Sequence, residues 1–157
     1  MNLSSQIAKH FRDVFFGGNW TSVNLKQTVE DVSWQQATVQ VNGFNSIATL
    51  VYHMHYYVRV VKKVLEGEAL NASDQYSFDL PPITSAADWD NLLDTVWRDA
   101  AGFAALVEQL PEQQMGELFA DEKYGTYYRN IHGIIEHTHY HLGQITLIKK
   151  LLATTNP

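Results

Sequence analysis

The sequence predicts an all-α fold, a four-helix bundle. Three observations carry that expectation: four long segments whose apolar residues recur at helical spacing, connections of moderate length between them, and no convincing pair of strands. The 157 residues read as one domain spanning 1–157, long enough to bury a core without staples. The chain shows no internal repeat and no low-complexity stretch.

Ser4 or Ser5 caps the first predicted helix, which runs to Phe16 with Ile7, Phe11, Val14 and Phe15 on one face. The pair Gly17-Gly18 ends it, because glycine accepts the left-handed backbone that closes a helix. A short helical segment follows over 22–31, with Leu25, Val29 and Val32 as its apolar edge. Trp34 and Ala37 pack where the chain crosses towards the next element, and residues 37–42 alternate weakly enough to read as an extended connector. The second long helix covers 45–66 and stops at Gly67, with an apolar stripe that includes Ile47, Leu50, Val51, Met54, Val58 and Val61. His53 lies on the edge of that stripe; His55 shares a face with Tyr52, Arg59 and Lys62, expected to be solvated.

Residues 68–84 form a loop long enough either to act as a lid or to cover one end of the bundle, with Tyr76 and Phe78 as its candidate pocket residues. Ser85 followed by Asp88 resembles a capping box opening the third helix, which Pro111 closes. Residues 112–123 read as a polar connector anchored by Met115, Leu118 and Phe119. Thr126 caps the last helix, and Lys149 and Lys150 are placed to complement its C-terminal dipole.

That last helix carries four of the seven histidines. His137 and His141, four apart, stack on one face with Gly133, Ile134, Gln144 and Ile145, an inward stripe. His132 and His139, seven apart, share the opposite polar stripe with Glu136, and with His10 and His55 they are expected at the surface. Two imidazoles one turn apart on an apolar stripe need partners for their ring nitrogens, and a shared metal ion is one answer. His53 on the facing helix is the third candidate ligand, and Gln144 can touch a ligand or hold one of the rings. Gly133, one turn before His137, provides either close helix packing or room beside the ion.

Composition narrows the function. A net charge of −6 argues against a nucleic-acid partner, which requires a basic face. No stretch has the length of a membrane span or the layout of a signal peptide, so the cytoplasm is the expected compartment. With no cysteine, any metal is held by nitrogen and oxygen donors. Three histidines leave open positions, the arrangement of catalytic rather than structural zinc. Zinc is the first expectation, while nickel, iron and manganese also suit imidazole. Thr138, not glutamate, follows His137, which argues against a zinc protease.

Two runs carry a family resemblance. His137-Thr-His-Tyr-His141-Leu-Gly143-Gln144-Ile145 and Ile47-Ala-Thr-Leu-Val-Tyr-His53 resemble the last-helix and second-helix signatures of the DinB-like superfamily of metal-binding four-helix bundles, which includes the YfiT-like metal-dependent hydrolases. The resemblance covers nearly the whole chain. It implies one divalent ion on His53, His137 and His141, commonly zinc or nickel, and a small-molecule substrate that includes low-molecular-weight thiols in thiol-dependent relatives. Many members carry arginine directly after the last histidine; here Leu142 stands there. The function expected is therefore that of a metal-dependent hydrolase or thiol S-transferase, with activated water or a substrate thiol as nucleophile and no general acid or base identified. The alternative is a bundle that binds metal without catalysis, or a stress-related interaction module. A homodimer through an outer helix face is a further expectation.

Overall fold

In the computed structural model, which describes residues 2–155, six α-helices occur in the order α1 (Leu3–Phe16), α2 (Leu25–Val29), α3 (Trp34–Thr38), α4 (Ile47–Leu65), α5 (Ala86–Gln109) and α6 (Tyr127–Thr155). The long helices α1, α4, α5 and α6 form the bundle. Helix α4 packs on both α5 and α6, and α1 packs on the same two from the other side. Among the described residues the extended pairing is limited to one isolated bridge, Leu118 with Thr126. No helix there is long and apolar enough to cross a membrane.

Local chemistry sets the helix starts. Asn2 rather than Ser4 or Ser5 caps α1, accepting from the Ser5 amide at 2.8 Å. Ser4 is instead buried and donates to the Leu110 carbonyl oxygen at 2.8 Å. Ser33 caps α3 in a full capping box with Gln36, so the predicted connector begins later, after Thr38. Ser46 caps α4 and Ser85 caps α5. The Asp88 carboxylate turns back to Thr84, accepting from both its amide and its hydroxyl at 2.9 Å.

Phe11, Phe15 and Phe103 anchor the core at the α1–α5 contact, with Phe11 ring centroids 4.5 Å from each of the other two. All three are essentially inaccessible, and each buried ring contributes about 1.5–3 kcal/mol. Helix α6 continues past the expected end at Lys150 to Thr155. Lys149 therefore does not cap a helix end; its ammonium donates to the Thr28 carbonyl oxygen and to the Asp31 carboxylate, fastening α6 to α2.

His55 corrects the sequence reading. It is 2% exposed, and its Nε2 lies 2.8 Å from Asp99 Oδ2 on α5. Helix α4 is covered on two sides, so the face opposite His53 meets α5 instead of solvent.

Candidate metal centre

Helices α4 and α6 bring three imidazoles together. His53 comes from the middle of α4, and His137 and His141 come from successive turns of α6. The Nε2 atoms of His53 and His137 lie 3.1 Å apart, and those of His137 and His141 lie 3.0 Å apart. His53 and His141 are buried and His137 is partly exposed. The loop before α5 reaches into this cluster through a 3-10 turn, Asp74–Phe78. Phe78 stacks on His53 with centroids 4.2 Å apart, and Tyr57 packs edge-on against both His53 and His137.

Hydrogen bonds fix the tautomers. The Ser77 hydroxyl donates to the Asp74 carbonyl oxygen at 2.6 Å, so at 2.8 Å it accepts from Nδ1–H of His53. Gln144 Oε1 accepts from Nδ1–H of His141 at 2.7 Å. Both rings therefore carry their proton on Nδ1 and present a bare Nε2 lone pair towards His137. A single N–H on His137 Nε2 can satisfy only one of its two close contacts. The other then has no donor, and with the proton on Nδ1 instead both contacts set lone pair against lone pair; a shared cation relieves either arrangement.

The distances from His137 to its two neighbours also suit a shared ion. Imidazole nitrogens about 2.0–2.1 Å from one metal lie about 2.8–3.4 Å from each other, from right-angle to tetrahedral geometry. His137 is the ring whose anchoring differs: its Nδ1 is buried and has no protein partner. Packing against Tyr57 and His53 holds it instead.

The family model of the DinB superfamily matches residues 19–145, a stretch that contains all three histidines and most of the bundle. The chain belongs to the DinB superfamily. No curated protein and no solved structure matches it. The DinB-superfamily assignment and the clustered histidines, whose ligand atoms all lie within 4.8 Å of one another, are together compatible with a metal-binding site. In this DinB-superfamily chain Leu142, the residue after the last histidine, is buried in the core and presents nothing to a substrate.

Electrostatics keep the rings neutral. Burial, and next the neighbouring imidazoles, push His137 down to about 4. Burial is also the main cause that lowers His53 and His141, opposed at His141 by the bond to Gln144. Neutral imidazoles are the form that ligates metal. Relative to an unfolded histidine near 6.5, each folded group binds its proton less readily. The unfolded chain thus takes up more protons as the pH falls, and stability present above about 6.5 declines towards about 4. Urea midpoints of the metal-free protein are expected to drop between about pH 7 and about pH 4.5. A midpoint that stays level would contradict a buried neutral triad.

Around the triad, Tyr57 donates to the Asp74 carboxylate, and burial first, then that bond, raises the phenol to about 12. The same bond holds the Asp74 carboxyl below its ordinary value, with help from Ser77 and the nearby His53 and His137. Sequence periodicity had no means of selecting Asp74 or Ser77, which lie on an aperiodic loop. Tyr57 follows His53 by one helical turn, the signal that places it on the same stripe. Tyr76 is exposed, so the ring this loop sends to the site is that of Phe78.

His132 and His139 do lie apart from the triad. They face His10 on α1, with ring centroids 6.4 and 6.3 Å away, and both are partly covered. Gln144 adjoins an apolar cavity of about 240 Å³ beside Phe44 and Leu147. Partners that orient a ligating histidine typically change metal affinity by about 10- to 100-fold. Gln144→Leu is therefore expected to weaken metal binding within that range, as read by competition with a chromophoric chelator. Unchanged affinity would show that His141 does not need the bond.

Proposed function

We propose that this protein is a divalent-metal-dependent enzyme in which His53, His137 and His141 hold one ion, zinc in first place and nickel, iron or manganese as alternatives. The observation that carries this reading is the convergence of three Nε2 atoms, two with lone pairs directed inward by Ser77 and Gln144. When bound, a divalent ion there supplies a Lewis acid that makes water or a substrate thiol a nucleophile near neutral pH. The reaction class is then hydrolysis or thiol S-transfer to a small electrophile. The chain's own residues supply the rest. Ser77 and Gln144 fix the rings, Phe78 shields His53 from water, and Tyr57 remains a protonated hydrogen-bond donor. We assign to Asp74, kept ionised by Tyr57 and Ser77, the acceptance of the proton that water or thiol releases.

The covering of the rings supports a second reading, a bundle that holds metal without turnover, since His53 and His141 are only 6% and 8% exposed.

Plasma mass spectrometry on protein purified without an affinity tag tests the site. About one equivalent of zinc, nickel, iron or manganese per chain is expected, followed by turnover of a small thiol with an electrophile. Protein that arrives empty and takes up none of these ions would sink both readings. Loaded protein without turnover or solvent exchange at the ion would favour the second.

A further inference from the structure

A cavity of about 400 Å³ lies along the first turns of α6 and ends on His137. Tyr57, Val61 and Ile134 form its apolar side, and Lys123, Arg129 and Asn130 its polar end. No carboxylate pairs with Lys123 or Arg129 among the described residues, as is also true of Lys26, Arg59, Arg98 and Lys150, whereas Lys9, Arg12, Lys62, Lys63 and Lys149 each have one. Arg129 is nevertheless held in place. Its Nη1 donates to the carbonyl oxygens of Tyr124 at 3.2 Å and Lys123 at 3.4 Å, and neither bond draws on Nη2 or Nε. The loop that offers those carbonyls closes through Gly125, whose φ of 73° disfavours other residues and where a Cβ would come 3.0 Å from Arg129 Cδ. Gly133 lines the same cavity, and a Cβ added there would meet nothing within 4 Å. The sequence left close packing or open room as readings of this glycine, and the structure shows room. Glu136 also lines the cavity, but it is 71% exposed and turned to His132 Nδ1 at 3.4 Å.

We propose that this cavity binds an elongated anionic small molecule, its carboxylate or phosphate on Arg129 and Lys123 and its far end at the imidazole cluster beside His137. An arginine pinned by backbone and free of carboxylates is preorganised for a forked oxyanion contact. Eight residues separate Arg129 from His137, a helical rise of about 12 Å, so the ligand spans on the order of 10 Å. The far-end contact rests on the proposed metal site; the anion contact does not.

The experiment separates the two. Cobalt-loaded protein is titrated with mercaptooctanoate, its neutral analogue mercaptooctanol and the short mercaptopropionate, with the cobalt absorption spectrum as readout. Mercaptooctanoate is expected to bind about three- to tenfold more tightly than either. Arg129→Gln and Lys123→Gln should each abolish most of that advantage while leaving mercaptooctanol unchanged. Glu136→Gln should increase it. In parallel, octanoate is added to metal-free protein and followed by amide NMR shifts at residues 129–133, which Arg129→Gln should suppress. Equal binding of the charged and neutral thiols, or octanoate shifts that persist in Arg129→Gln, would overturn the anion site. Failure of cobalt to bind at all, with the octanoate shifts intact, would overturn the metal reading and leave the anion site standing.

Discussion

His137→Ala is expected to empty the metal centre. This ring is the middle member of the triad, its Nε2 within 3.1 Å of both other Nε2 atoms. Removing it leaves His53 and His141 without the nitrogen that faces each of them. Loss of a partner that merely orients a ligand costs roughly 10- to 100-fold in affinity, so loss of the ligand itself should exceed about 100-fold. Metal content after purification is expected to fall from about one equivalent to near zero. His139→Ala, two residues away but turned towards α1, is expected to keep the ion. If His139→Ala strips the metal as thoroughly as His137→Ala, the assignment of faces on α6 is wrong. The neutral rings also bear on loading, because a site that needs no deprotonation at pH 7 should release few protons when metal is added.

His55→Ala should produce the opposite pattern, a less stable protein that still binds metal. The buried imidazole joins α4 to α5 through Asp99, whose other oxygen lies 3.7 Å from Lys62. Burial lowers His55, with the Asp99 bond opposing that shift. Truncation leaves a cavity and deprives Asp99 of its closest partner, a loss of about 2–3 kcal/mol in urea unfolding. Metal affinity below the transition should stay within a factor of about two, since none of the triad contacts passes through His55. A stability change under about 0.5 kcal/mol would mean that the His55–Asp99 pair does not fasten the two helices.

The contrast between His53 and His55 shows what periodicity can and cannot read. Apolar spacing placed His53, His137 and His141 inward because each sits on or beside a stripe that has to meet a neighbour. The same logic sent His55 to solvent, because Tyr52, Arg59 and Lys62 on its face are polar. Yet a bundle helix can touch two neighbours, and the second contact can be built from a polar pair instead of an apolar stripe. Asp99, forty-four positions later, is not linked to His55 by any local pattern. Ser77 and Asp74 were illegible for a related reason: they sit in a loop, where side-chain direction follows tertiary packing. Lys149 was misread because helix length, not charge, decides which carbonyls are terminal. Helix class, order and the last two histidines were legible, since each follows from spacing within one segment.

The division of the triad between two helices has a mechanical consequence. His53 and His137 are 84 residues apart in sequence, and the chain contains no cysteine. An ion shared by them ties off a loop of that length for as long as it is bound, and stabilises the folded chain by its binding free energy. The tie is reversible. Separation of α4 from α6 then requires release of the ion, so a strong chelator should speed unfolding, with the effect levelling off at the metal-free rate. In such a molecule the occupancy of the site would set how long the bundle survives between openings, whatever the chemistry carried out there.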